Sequence, residues 1–304
     1  MKEYRVYQAD VFTKEILTGN AAGVVTNADG LTDEQMQKIA RELNDSETAF
    51  ILPGKPGEYD IEIRYFTPTS EVPMCGHATI GAHYVRAREL GLADGTCVLT
   101  KTGAGILPVD IKKTGDDYRI VMTGGKPEVT EIDCPEYRER LAHALRIRQE
   151  DFREDFPVAV ASMGHAKVMV PIREEALLHR MKPDMKELYD LSAEYREYGS
   201  SDGFYVFTYN PQEHIQFHGR MFAPYIGITE DPVTGNANGP VGVYMVHYGL
   251  VDTLKEAFEY CGIQGEAMGR PGVVHGRVAI EHGKPVKVQI AGEAVPVFAT
   301  TITL

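Results

Sequence analysis

The sequence predicts an α+β fold of two pseudo-symmetric halves, each a β-barrel-like, mostly antiparallel sheet wrapped around a central helix. Three observations support this prediction: a motif that occurs twice, the same order of strand-like segments in both halves, and a helix of low charge in each half. The 304 residues suffice for two average domains, and a hydrophobic content of 43% can supply a core for each.

The repeated motif has two parts. The first part, R-x-F-x-P, begins at Arg64 and again at Arg220, 156 positions later. The second part, E-x-P-x-x-G-x-A, begins at Glu71 and again at Glu230, 159 positions later. Seven matches in one order, with a single three-residue insertion, indicate an internal duplication.

The first half is predicted to contain two helices. One begins at Thr32, where Gln35 completes a capping box, and Met36 starts its apolar face. The other covers about residues 77–90 and stops before Gly91. Alternating apolar and polar residues predict strands near 4–10, 21–26, 48–52, 61–66, 96–100, 105–111 and 118–122.

The second half repeats this order. A helix is predicted over about 238–248, ending at Gly249, and its sequence GNANGPVGVYMVHYGLV lacks Asp, Glu, Lys and Arg, so it should be buried. Strands are expected near 157–162, 166–170, 204–208, 215–221, 276–281, 285–290 and 296–302. The N-terminal half is therefore assigned to residues 1–124 and the C-terminal half to residues 125–290. A final strand at about 291–304 could return to complete the N-terminal half. The active site is expected in the cleft between them.

Composition argues against several function classes. The net charge of −13 disfavours nucleic-acid binding, which needs clustered Lys and Arg. No apolar run is long enough for a membrane span, and the start MKEYRVYQADVF lacks the apolar core of a secretory signal, so a cytoplasmic location is expected. Four scattered cysteines indicate no disulfide framework. We find neither metal-ligand spacing nor a glycine-rich phosphate loop, so no metal or cofactor is expected.

Both central helices begin with glycine at the same repeat position, as Gly76-His77 and Gly235-Asn236. A helix amino terminus offers unpaired N–H groups and partial positive charge, and glycine lets a ligand approach the backbone. Two such termini could bind one carboxylate. The alternative is that both glycines serve only as tight strand-to-helix turns.

Three side chains are candidates for the chemistry. Glu47 precedes a predicted strand, and the repeat pairs Ser46-Glu47 loosely with Ser201-Asp202. His77 at a helix start could donate or relay a proton, or simply satisfy a buried contact. Asp231 could hold a substrate amine or hydroxyl, or cap the helix.

Cys75 raises a rival chemistry, racemisation by two facing thiols. The repeat places Thr234 where the second thiol would be needed. Because threonine is too weak an acid to serve as that base, we interpret Cys75 as a packed thiol.

Several motifs together resemble the phenazine-biosynthesis PhzF-like isomerase family: LTGNAAGVV, SETAF, FTPTSEVPMCGHATIGAHYV, EDPVTGNANG and QGEAMGRPG. The resemblance runs along essentially the whole chain. It implies the diaminopimelate-epimerase-like fold, a cofactor-free enzyme and a homodimer. In the phenazine member, a glutamate takes a proton from C3 of trans-2,3-dihydro-3-hydroxyanthranilate and returns it at C1.

By this resemblance Glu47 moves the proton and Asp231 contacts the substrate's amine or hydroxyl. The implied substrate-binding positions are Asn20, Gly76, His77, Gly235 and Asn236. Two positions depart from the family: Asn236 stands where the phenazine enzyme has serine, and Ala21 replaces the usual proline of GNP. Because asparagine is larger and brings a donor and an acceptor, the substrate is expected to differ.

The sequence therefore predicts a cofactor-independent isomerase of a small carboxylate-bearing metabolite, with Glu47, His77 and Asp231 as catalytic residues. Two alternatives remain open: an amino-acid racemase or epimerase of the same fold, and a catalytically silent protein that binds a small acid.

Overall fold

The computed structural model of the chain describes residues 1–132, 134–194 and 203–304. It divides into two compact units. Unit 1 consists of Met1–Thr123 and Ala291–Leu304, and unit 2 of Gly124–Ile290. The boundary expected from the sequence, between residues 124 and 125, lies one residue away. Ser201 and Asp202, the looser repeat partners of Ser46 and Glu47, lie outside the described residues.

Unit 1 contains the helices α1 (Asp33–Leu43) and α2 (Gly76–Leu90). Its strands are β1 (Glu3–Val11), β2 (Asn20–Val25), β3 (Glu47–Lys55), β4 (Tyr59–Phe66), β5 (Glu71–Val72), β6 (Thr96–Thr102), β7 (Gly105–Thr114), β8 (Asp117–Thr123) and β18 (Ala294–Thr303). The final strand β18 pairs along the whole of β1.

Unit 2 contains the helices α3 (Pro135–Leu145), α4 (Glu175–Arg180), α5 (Met185–Glu194) and α6 (Gly235–His247). Its strands are β9 (Glu128–Glu131), β10 (Ala159–Ser162), β11 (Ala166–Pro171), β12 (Phe204–Tyr209), β13 (Phe217–Ala223), β14 (Ile228–Asp231), β15 (Ala257–Gln264), β16 (Gly272–Glu281) and β17 (Lys284–Gly292). Short 3₁₀ turns cover Gln149–Asp151, Pro224–Ile226 and Glu266–Met268.

The two units share one pattern of strand pairing. In unit 1, β1 pairs antiparallel with β2, β2 parallel with β3, and β3 antiparallel with β4, which pairs parallel with β6. In unit 2, β10 to β13 and β15 repeat these four relations in the same order. The predicted duplication is thus present in the hydrogen-bond topology as well as in the motif.

Each central helix is buried around most of its circumference. In α2 the buried face covers eleven of fifteen residues, and α6 is buried from Ala237 to Val246. Strands β1, β2, β3, β7, β8 and β18 contact α2, whereas β9, β10, β11, β15 and β16 contact α6. A helix that is apolar or uncharged on all sides can be stable only in such surroundings, as the sequence predicted.

The repeated motif is maintained by an ion pair inside each unit. Arg64 donates two hydrogen bonds to Glu71, of 2.7 and 2.8 Å. Arg220 donates two to Glu230, both of 2.8 Å. In both units the guanidinium also lies over the phenylalanine two residues later, at 5.3 and 4.9 Å from the ring centre. The R-x-F and E-x-P parts of the motif therefore hold the strand ahead of the central helix.

The predicted α1 is confirmed at its start. The Thr32 hydroxyl accepts from the Gln35 N–H, and the Gln35 side chain accepts from the Thr32 N–H. The predicted helix of unit 2 began three residues late, because the first residues of α6, GNANGP, are poor helix formers. Helices α3 to α5 were not predicted. They pack side chains such as Leu141 and Leu188 on the outer face of the unit 2 sheet.

Within residues 1–132, 134–194 and 203–304, none of the helices combines the length and apolar character that crossing a bilayer requires.

Candidate active site

The start of α2 offers open space beside its backbone. Gly76 is the first residue of the helix and is buried, and its φ is not in the left-handed region. A Cβ built there would meet no atom of the described residues within 4 Å. Neither the backbone nor a neighbour thus demands glycine at this position. The first-turn N–H groups of a helix have no partner within the helix and can bind an anion.

His77, the second residue of α2, is buried and is surrounded by polar groups. On one side of the ring, Nδ1 lies 3.4 Å from Asn20 Nδ2 and 3.3 Å from Cys75 Sγ. On the other side, Nε2 lies 3.2 Å from Ser46 Oγ and 3.5 Å from Glu47 Oε2. The imidazole therefore connects residues from β2, β3 and the helix start, and it is placed to orient the Glu47 carboxylate.

Glu47 is positioned by strand pairing. It is the first residue of β3 and pairs with Ala22 in the parallel ladder to β2. Its side chain is 17% exposed, so the carboxylate is largely withdrawn from water yet reachable by a small molecule. A carboxylate with these properties can take up and return a proton.

Asn20 owes its position to the glycine before it. Gly19 has a φ of +62°, and a Cβ there would lie 2.3 Å from the Val11 carbonyl oxygen. This turn brings the chain into β2 with Asn20 as the first, buried residue of the strand. The glycine of the GN motif is thus structural, whereas the asparagine points its amide toward His77.

The first turns of α2 and α6 carry the same kind of side-chain hydrogen bond. The Thr79 hydroxyl donates to the Cys75 carbonyl at 2.7 Å and lies 2.6 Å from the hydroxyl of the buried Tyr65. At the repeat-equivalent position, the Asn238 amide donates to the Thr234 carbonyl at 3.0 Å. These bonds go to carbonyl groups and do not use the N–H groups of the first turn.

In unit 2, a buried glutamine fixes the start of α6. Gln264 donates from Nε2 to the Asp231 carbonyl at 2.7 Å and accepts at Oε1 from the Thr234 N–H at 3.1 Å. The Thr234 hydroxyl donates to the Asp231 carboxylate. Gly235 is buried, and Asn236, at the repeat position of His77, is half-buried. Asp231 therefore binds the side chain of Thr234, the residue that precedes the helix, and its capping and substrate-binding roles both stay predictions.

The predicted site residues fall into two sets, one in each unit. In the unit 1 set, Asn20 and Glu47 both contact His77, and Gly76 precedes His77 in the chain. The unit 2 set lies at the start of α6: Asp231, Gly235 and Asn236. That the two sets serve one reaction stays a prediction.

Sequence reasoning missed two residues of these sets. Ser46 was noted only as part of the repeat, although its hydroxyl contacts His77. Gln264 was seen only as part of QGEAMGRPG. Cys75, interpreted as a packed thiol, is buried, and its sulfur also contacts His77. Ligand atoms of Glu47, Cys75 and His77 lie within 4.8 Å of one another and could also hold a metal ion.

Comparisons with known proteins identify the family of the chain. The family described as phenazine biosynthesis-like protein, PhzC-PhzF, matches residues 9–300. An uncharacterized isomerase of Clostridium acetobutylicum is 50% identical over 305 residues, covering 100% of this chain and 99% of that protein. The trans-2,3-dihydro-3-hydroxyanthranilate isomerase of Pseudomonas aeruginosa is 27% identical over 290 residues, covering 95% of each protein.

Solved structures share the fold. A Bacillus anthracis phenazine biosynthesis protein of the PhzF family has a TM-score of 0.87 and 32% identity, covering 100% of both chains. A hydroxyproline epimerase from Agrobacterium vitis has a TM-score of 0.64 at 12% identity, covering 99% of this chain and 93% of that one, a likeness of fold alone. The predicted fold class is confirmed.

Proposed function

The chain belongs to the phenazine biosynthesis-like protein family, and we propose that it moves one proton within a small carboxylate-bearing metabolite. It is an isomerase, as the names of its relatives state for those proteins. The observation that carries the proposal is the placement of the Glu47 carboxylate 3.5 Å from the buried His77 ring, which follows directly on Gly76.

The start of α2 is the proposed anion site. The first-turn N–H groups and the helix dipole favour a carboxylate, and the open space at Gly76 leaves room for one. A substrate held there has its neighbouring carbon atoms near the only acidic side chain that contacts His77 among the described residues. Binding by backbone amides also suits a site that must stabilise developing negative charge.

The proposed reaction has two steps and conserves all atoms. Glu47 first takes a proton from a carbon next to a conjugated double bond, and the electron pair of the broken C–H bond enters the conjugated system. The negative charge spreads to the carboxylate, where the α2 amides stabilise it. Protonated Glu47 then returns the proton to another carbon on the same face, so the double bond moves.

His77 is proposed to position Glu47 and to relay protons. Its Nε2 faces both Glu47 and Ser46, and its Nδ1 faces Asn20 and Cys75. A ring held on both sides keeps its orientation, which fixes the carboxylate in one reactive geometry.

The substrate is proposed to resemble trans-2,3-dihydro-3-hydroxyanthranilate without being identical to it. The Pseudomonas aeruginosa relative that carries this name is only 27% identical. Asn236 occupies the position where the phenazine enzyme has serine, and it can both donate and accept a hydrogen bond. Asp231 is proposed to contact the substrate's amine or hydroxyl through its carboxylate, which also accepts from Thr234.

Incubation in deuterated water tests the reaction class. The probes are trans-2,3-dihydro-3-hydroxyanthranilate and a panel of unsaturated amino and hydroxy acids, followed by NMR. The proposal predicts that, for at least one probe, a double bond moves. The receiving carbon carries protium where Glu47 returns the proton it removed, and deuterium where the Glu47 carboxyl exchanges with solvent first. Deuterium only at an inverted α-carbon would identify a racemase instead, and binding with neither exchange nor a moved double bond would identify a silent binder.

One observation favours the racemase alternative. Cys75 Sγ lies 3.3 Å from His77 Nδ1, so the thiol has a base next to it. A two-thiol racemase needs a second sulfur, however, and the repeat places Thr234 there, with its hydroxyl donating to Asp231. Cys75→Ser separates the two mechanisms. A thiol-dependent racemase is inactivated, whereas the carboxylate isomerase keeps most of its activity, because Asn20 still contacts His77 Nδ1 and a serine hydroxyl can replace the thiol there.

A further inference from the structure

We propose that unit 2 binds one divalent metal ion of the zinc type, through residues other than those assigned to proton transfer. The ligands are two carboxylates and two imidazoles, here named the histidine–glutamate cluster: Glu175, His179, His218 and Glu266. One ligand atom from each residue lies within 4.8 Å of the ligand atoms of the other three.

The fold brings these ligands together from three segments. Glu175 and His179 are four residues apart on α4, so they lie on the same side of the helix. His218 is the second residue of β13 and pairs in register with Ile263 of β15. Glu266 begins the 3₁₀ turn just after β15. No short sequence spacing connects all four, which is why the sequence alone predicted no metal site.

The distances between the ligand atoms, 2.9–3.8 Å, bracket those of a tetrahedral site. Zinc–nitrogen and zinc–oxygen bonds of 2.0–2.2 Å in a tetrahedron separate neighbouring ligand atoms by roughly 3.3–3.6 Å. Here Glu175 Oε1 lies 3.1 Å from His179 Nε2 and 3.6 Å from His218 Nδ1. Glu266 Oε2 lies 2.9 Å from His218 Nδ1 and 3.8 Å from His179 Nε2.

The cluster differs from ordinary surface ion pairs. His143 and Glu187 form such a pair, with a single contact of 2.6 Å and the histidine 78% exposed. In the cluster, one oxygen of each carboxylate is within 4 Å of both imidazoles. Two protonated histidines at this separation would repel each other, whereas one metal ion would satisfy all four groups.

An outer carboxylate supports the assignment. Glu213 Oε2 lies 3.9 Å from His218 Nε2, on the opposite side of the ring from the two cluster carboxylates. Metal-binding histidines commonly give their second N–H to a carboxylate, which fixes the ring and strengthens the ligand. At 3.9 Å the two atoms are beyond hydrogen-bond distance, so a direct bond from His218 to Glu213 in the metal-bound protein is part of the proposal.

The consequence of binding is structural. The ion would join α4 and β13 to the turn that follows β15, and that turn comes directly after Gln264, the residue that fixes the start of α6. Four protein ligands complete a tetrahedral shell, as in structural zinc sites. We therefore expect metal to raise the Tm of the folded chain.

Titration of the chelator-treated full-length protein tests the site. Zn²⁺ is measured by calorimetry, and Co²⁺ by its visible absorption, which distinguishes tetrahedral from octahedral coordination. We expect one ion per chain, a tetrahedral cobalt spectrum and a higher Tm. The variants are His218→Ala, which removes a ligand, and Glu213→Gln, an exposed change that removes only the outer partner. His218→Ala should abolish stoichiometric binding, and Glu213→Gln should weaken it about 10- to 100-fold.

Two controls locate the ion. His143→Ala removes a histidine of the ordinary kind, and Cys75→Ser alters the other group of possible ligands. Both should bind zinc as the wild type does. The proposal is overturned if the wild type binds no zinc, if His218→Ala or Glu213→Gln binds it unchanged, or if Cys75→Ser loses it. Melting curves in EDTA show that each variant is folded before metal is added.

Discussion

Substitution of Gly76 by alanine separates the binding role of this residue from any structural role. The added methyl group meets no atom of the described residues within 4 Å, and the backbone is not left-handed. Alanine is favoured over glycine in helices by about 0.5–1 kcal/mol, so the free energy of unfolding should be unchanged or slightly higher. The methyl group would, however, occupy the space proposed for the substrate carboxylate.

The expected loss of activity follows from one displaced hydrogen bond. A hydrogen bond to a charged group contributes about 1.5–3 kcal/mol, which corresponds to about a 10- to 150-fold loss in kcat/KM. The assay combines urea unfolding with steady-state kinetics on a substrate found by deuterium exchange. Unchanged kcat/KM in a stable Gly76→Ala enzyme would refute the anion site at α2.

Gly91 at the other end of α2 provides the matched control. A Cβ there would also meet nothing within 4 Å, but its φ is +61°, which alanine adopts only with strain. Gly91→Ala should therefore lower the free energy of unfolding by about 1–2 kcal/mol and leave kcat/KM unchanged. Gly76→Ala is thus expected to lower activity without lowering stability, and Gly91→Ala to lower stability without lowering activity.

Two further predictions concern stability. Arg220→Met should lower the free energy of unfolding by about 3–5 kcal/mol, because Arg220 is 9% exposed and pairs with Glu230. Arg64→Met should lower it by about 1 kcal/mol or less, because its partner Glu71 is 44% exposed. Equal losses in denaturant unfolding would contradict this prediction. Burial lowers the pKa of His83 to about 3. Between about pH 3 and 6.5 the unfolded chain therefore binds more protons at this residue than the folded chain does. The free energy of unfolding should fall on acidification through this window, by up to about 1.4 kcal/mol per pH unit. His83→Gln should show a shallower dependence than wild type in urea unfolding at several pH values, and an unchanged slope would exclude His83 as its source.

The duplication was the feature of the fold that the sequence predicted best, because the repeated residues make the same contacts in both units. Arg64 pairs with Glu71 as Arg220 pairs with Glu230, and glycines begin both central helices. Helices α3 to α5 were not predicted, because they lie outside the repeated motifs and so have no second copy of their sequence to mark them. Leu141 and Leu145 four residues apart were nevertheless a readable helical signal.

The site was only partly predictable. Glu47, His77 and Asn20 could be named from motifs, but their contacts depend on the parallel pairing of β2 with β3, which brings distant segments side by side. The contact of Cys75 with His77 depends on side-chain direction at a helix start, which no sequence period encodes. The histidine–glutamate cluster joins segments up to 91 residues apart, from Glu175 to Glu266, and so required the folded structure.

The central claim is that the Glu47 carboxylate carries the proton, and the Glu47→Gln variant tests it most directly. Glutamine keeps the shape of the side chain, whose oxygen lies 3.5 Å from His77 Nε2 in the wild type, but it cannot take up a proton in the same way. Turnover should fall by roughly 10²- to 10⁴-fold, while the Tm and the Kd for substrate stay close to wild type. A Gln variant that turns over at the wild-type rate would contradict the account.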